Sequence, residues 1–138
     1  MLQIQTIDHV HILAPRGSEP AIRAFYGDLL GLTEVAKPPE LQPRGGAWFR
    51  VGSGPVLLHI GTEEHPPTGG RRHFAIRVAD VAAARQYLES RDVRTADARP
   101  VAGMPRFYAF DPWDNQIELM AYTSEAPPAG DETTHAHP

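Results

Sequence analysis

Apolar positions along this chain come in short runs broken by proline and glycine, and their spacing alternates between strand-like and helix-like. The run TIDHVHILA at 6–14 is rich in β-branched and apolar residues and stops at Pro15, which predicts a strand. Ser18 then offers a helix N-cap with Pro20 in the first turn. Ile22, Phe25, Tyr26 and Leu29 recur at helical spacing until Gly31 supplies a stop. After a short extended piece, LTEV, the proline- and glycine-studded stretch from Lys37 to Gly46 predicts an exposed loop. AWFRV and PVLLHI, separated by Gly52, Ser53 and Gly54, predict a hairpin. The stretch TEEHPPTGGR at 62–71 is a second breaker-rich connection.

The order then repeats. HFAIRV predicts a strand, Asp80 an N-cap, and Val81, Ala84 and Leu88 a helical stripe; RFYAF and NQIELMAY form a hairpin turned by Asp111–Asp114. His9 and His73 occupy matching places in the first strand of each half, and His59 and Glu118 matching places in the last. Neither β-α-β-β-β module is large enough to bury a sheet face alone. The expectation is therefore an α+β fold in which two modules, 6–61 and 72–122, form one curved, barrel-like eight-stranded sheet with helices outside. Residues 1–122 would make a single domain. From Thr123 to Pro138 the composition turns to Pro, Gly, Thr and Glu, which predicts a disordered tail.

Composition narrows the chemistry. The chain has 138 residues and a formal charge of −4, so it carries no global positive field to gather nucleic acid or an anionic membrane. With no cysteine, thiolate metal sites, disulfides and cysteine nucleophiles are excluded, and a reducing, cytoplasmic setting is expected. The N-terminus has no signal-peptide pattern, and no run approaches the roughly 18 apolar residues of a membrane helix. The only lysine, Lys37, precedes two prolines, a poor setting for a buried Schiff base. Phosphate-cradling glycine motifs and a G-x-S-x-G elbow are absent from the sequence.

Seven histidines remain as the reactive resource. Strand parity puts Gln116, Glu118 and Met120 on one face, Leu57 with His59, and Ile7, His9, His11 and Leu13 together. An imidazole or carboxylate inside a curved sheet must be hydrogen bonded, paired or bound to metal, because bare burial costs several kcal/mol. The repeat supplies such a residue at four equivalent places: His9, His59, His73 and Glu118. Three imidazoles and a carboxylate suit one divalent cation, Zn, Fe, Mn, Co or Ni, with a coordination position left for substrate. A hydrogen-bonded core histidine is the competing reading of His59. Tyr108 reads either as a substrate contact or as a core aromatic.

The strings IDHVHI, FYGDLLGL at Phe25–Leu32, HFAIRVAD at His73–Asp80 and FDPWDNQIEL at Phe110–Leu119 resemble the vicinal oxygen chelate superfamily of glyoxalases, bleomycin-resistance proteins and extradiol dioxygenases. The resemblance runs from about Ile7 to Tyr122. It implies paired β-α-β-β-β modules, a homodimer, and a metal that binds substrates through neighbouring oxygens. It places metal ligands at His9, His73 and Glu118, and puts His59 where relatives carry Glu or Gln. His11 falls where substrate is contacted, as acid/base or as a polar lining residue, and Glu118 is a second candidate base. The implied activity is a metal-dependent lyase or isomerase on a small oxygen-chelating metabolite or xenobiotic. Alternatives are an extradiol-type dioxygenase and a non-catalytic drug-binding protein.

Overall fold

The computed structural model describes residues 1–123; the expected tail lies, from residue 124 on, outside the described residues. The strands are β1 (His9–Pro15), β2 (Thr33–Val35), β3 (Ala47–Arg50), β4 (Leu57–Glu63), β5 (His73–Arg77), β6 (Thr95–Asp97), β7 (Arg106–Phe110) and β8 (Gln116–Met120). Helices α1 (Glu19–Ile22) and α2 (Val81–Glu89) follow the first strand of each half. Each half thus has the expected β-α-β-β-β order. The strands hydrogen bond as two four-stranded sheets, ordered β1-β4-β3-β2 and β5-β8-β7-β6. The fold class is α+β as expected, built from two ladders rather than one closed barrel. By compactness the described residues divide into one unit of Met1–Phe74 with Phe110–Ile117, and another of Ala75–Ala109 with 118–123.

In the first sheet β1 runs parallel to β4, pairing His9 with Leu57 and His11 with His59, while β3 runs antiparallel, pairing Trp48 with His59. Alternation along these strands buries Ala14, Ala47, Phe49, Leu58 and Ile60 on one face, where they pack with Ile22, Phe25 and Tyr26. His9, His11, Trp48 and His59 occupy the other face, as parity predicts. In the second unit Leu88, Phe107, Ala109, Leu119 and Met120 are buried. The Asp80 carboxylate caps α2 as expected, accepting from Ala83 N at 2.9 Å.

The first helix departs from expectation. Ser18 holds the N-cap position, but its backbone is not in the extended conformation of a capping serine (φ −93°, ψ 14°) and its side chain accepts no N–H; the hydroxyl donates instead to Pro15 O at 2.5 Å. After one α turn the chain widens into a π-helix over Arg23–Leu29, with Leu30 N bonded to Phe25 O at 2.9 Å. Gly31 ends it at φ 75°, as its position suggests. The loop expected from Lys37 to Gly46 contains a 3₁₀ turn, Pro39–Arg44. Gly46 closes it at φ 80°, where a Cβ would sit 2.0 Å from Ile60 O, so only glycine fits this approach to β4.

A buried carboxylate ties the turn after β7 into the first unit. Asp111 Oδ1 accepts from the backbone N–H of Trp113 at 2.9 Å and of Asn115 at 2.8 Å. Its Oδ2 accepts from Tyr26 Oη at 2.7 Å and from Asn115 Nδ2 at 2.8 Å, and the same amide donates to Leu13 O in β1. Removing the phenol in Tyr26→Phe should cost about 1–2 kcal/mol, and Asp111→Ala more, because it strands several buried donors at once. Urea denaturation of the two variants checks this ordering, and an Asp111→Ala protein as stable as wild type would contradict it.

Candidate metal and substrate site

The site residues of the first unit sit on an aromatic ladder across three strands. His59 is sandwiched, stacking on Trp48 at 3.7 Å between ring centroids with 2° between planes, and on His9 at 3.9 Å with 13°. It is 7% exposed, and its Nε2 is buried without a hydrogen-bond partner. His9 Nδ1 lies 2.8 Å from Asp8 Oδ2. His73 opens β5, with Nδ1 2.8 Å from Arg71 O. Both partners are acceptors, so each imidazole donates through Nδ1, and in its neutral form it carries the lone pair on Nε2, the arrangement of a metal-binding histidine. His11 and His73 line one cavity of about 200 Å³ together with Arg72, Asn115 and Gln116. A second cavity of about 300 Å³ takes His11, Lys37, Arg44, Trp48 and His59 into its walls.

In the second unit Glu118 is 6% exposed and forms a 2.7 Å ion pair with Arg106 Nη1. The same guanidinium donates to Tyr108 Oη at 3.3 Å and to Arg99 O at 2.9 Å. Tyr108 therefore joins the surroundings of Glu118 through Arg106. Sequence reasoning missed this pair; only the alternation of Arg106 with Tyr108 along β7, facing Glu118 on β8, signals the contact.

The donor chemistry, two imidazoles with lone pairs on Nε2 and a buried carboxylate, suits a borderline divalent cation. Among the described residues no group of three or more His, Asp or Glu side chains is placed to hold a metal ion. His59 departs from the four-residue set. A metal lies in the plane of an imidazole, along its lone pair, and rings stacked nearly parallel at 3.9 Å do not aim at a common point.

Comparison with known proteins settles the family. The profile of the Glyoxalase/Bleomycin resistance protein/Dioxygenase superfamily matches residues 6–119, and the chain belongs to that superfamily. A glyoxalase family protein from Bacillus anthracis is 38% identical, with a TM-score of 0.81 over 88% of this chain and 98% of its own. Lactoylglutathione lyase from Agrobacterium tumefaciens shares the fold, with a TM-score of 0.66 at 21% identity over 86% of this chain and 95% of its own. A 2-epi-5-epi-valiolone epimerase from Actinomyces sp. is 38% identical over 65 residues, which is 42% of this chain and 36% of the epimerase. The match thus spans about a third of that relative's length. No helix among the described residues is long and apolar enough to cross a membrane.

Burial holds the His59 imidazole below its ordinary value of 6.5; the His9 and His11 rings push the same way and Asp8 opposes them. The unfolded chain then takes up a proton at His59 more readily than the folded one. Its contribution to stability is complete above about pH 6.5 and is lost as pH falls toward the folded value. The thermal midpoint of metal-free protein should fall between about pH 7 and pH 5. His59→Gln should flatten that slope; an unchanged slope in the variant would assign it to other groups.

Proposed function

We propose that the chain is a divalent-metal-dependent lyase or isomerase acting on a small metabolite that presents two neighbouring oxygens. The observation that carries this reading is the matched pair His9 and His73, each with Nδ1 on an oxygen acceptor and the lone pair on Nε2. With Glu118 they form the proposed ligand set. A bound divalent cation would act as a Lewis acid on the substrate oxygens. His11, which walls both cavities, is the residue proposed to touch substrate and move a proton, since an imidazole can both donate and accept one. Glu118 is assigned to ligation rather than to proton transfer, because Oε1 is engaged by Arg106. The epimerase relative supports an isomerase.

The His9–His59 stack favours a second reading, a dioxygenase. With His59 outside the ligand set, three ligands leave room for a bidentate substrate and a further molecule. Oxygen uptake during turnover separates the two readings.

Titration with Zn²⁺ tests the metal assignment. His9→Ala, His73→Ala and Glu118→Ala should each weaken binding at least about tenfold, while His59→Gln should stay within about threefold of wild type. Melting temperatures read in parallel separate lost ligation from lost folding, and wild-type affinity in any two of the alanine variants overturns the assignment. We also propose a homodimer, which sedimentation checks: a single 15.2 kDa species at micromolar concentration would reject it.

A further inference from the structure

Both imidazoles of β1 are displaced one pleat along β4. His9 is registered with Leu57 but stacks on His59, and His11 is registered with His59 but lies over Gly61. At Gly61 a Cβ would fall 2.6 Å from His11 Nε2 and 2.9 Å from its Cε1, with Leu13 Cδ2 at 3.5 Å. The backbone of Gly61 has no positive φ, so any residue could adopt its conformation. What this position uses is the missing side chain.

We infer that Gly61 is a positioning residue: the bare strand gives His11 a seat, and that seat leaves room for His9 to stack on His59. A methyl group at 61 pushes the His11 ring back toward its registered partner His59. That partner is already covered by Trp48 on one face and His9 on the other, so the returning ring competes with His9 for space. The consequence reaches the cavities as well, because His11 and Leu13 are walls common to both. Where the imidazole sits decides how that space is divided between a chamber beside His73 and one beside Trp48. The clash involves the end of a side chain that can rotate, so substitution relocates the ring and leaves the strand pairing in place.

The seat itself rests on geometry; only its effect on metal rests on the proposed ligand role of His9. The test uses the full chain as wild type, Gly61→Ala, His11→Ala and the double variant, all at one fixed pH. In wild type the Gly61 Hα resonances should be displaced by the His11 ring current and return toward random-coil positions in His11→Ala. Gly61→Ala should shift the Cε1–H resonances of both His11 and His9. It should weaken Zn²⁺ binding about tenfold in the wild-type background and less than about twofold when His11 is already alanine. Removal of His11 thus rescues the glycine substitution, which a merely structural glycine would not show. Gly61 Hα resonances indifferent to His11, or an equal affinity loss in both backgrounds, overturns the inference. Should wild type bind no Zn²⁺, the metal reading fails alone, and the resonances still decide whether Gly61 seats His11.

Discussion

The carboxylate of Asp111 is the constraint on which the first unit depends. Left bare, a buried carboxylate costs several kcal/mol; here two backbone N–H groups, a phenol and an amide surround it. Those donors come from distant parts of the chain, with Tyr26 85 residues away from Asp111. One side chain therefore fixes the turn 111–115, the position of the first helix, and, through Asn115 to Leu13 O, the end of β1 beyond His11. The core beneath β1, β3 and β4 is apolar and would tolerate sliding; the carboxylate network does not, because each bond has a direction.

On the opposite face of that sheet the problem is to crowd imidazoles together without charging them. Trp48, His59 and His9 solve it by stacking, which covers both faces of His59 and favours its neutral form. Stacking and ligation make incompatible demands on one pair of rings, since the first wants parallel planes and the second wants lone pairs that converge. The structure resolves the conflict in favour of the stack at His59 and leaves the Nε2 of His9 as the nitrogen with the available lone pair.

Much of this was legible in the sequence because it depends on local period. Strand parity put His9 with His11 and His59 with Leu57, and the repeat matched His9 with His73 and His59 with Glu118. The Asp80 cap followed from its spacing to α2. What could not be read depends on partners far apart in the chain or on competition at close range. Ser18 holds the N-cap position, but its hydroxyl donates to the carbonyl of Pro15 and accepts no N–H of the helix. The D-P-x-x-N string marks the family without revealing that its Asp bonds Tyr26. A glycine at 61 reads as a strand defect until the register of β1 against β4 is known.

The two modules started from one pattern and answer the cost of a buried polar side chain differently. At the place held by His59 the answer is aromatic cover; at the equivalent place Glu118 is answered by an arginine, Arg106, on the neighbouring strand. The difference changes the charge that the donor set offers. Two neutral imidazoles and a carboxylate already paired with Arg106 would leave a bound divalent cation with net positive charge, and a second carboxylate in place of His59 would reduce it. In the proposed site that residual charge would strengthen the pull on substrate oxygens. The histidine at 59, where the resemblance implies Glu or Gln, would thereby act on the proposed site through charge and stacking without itself having to ligate.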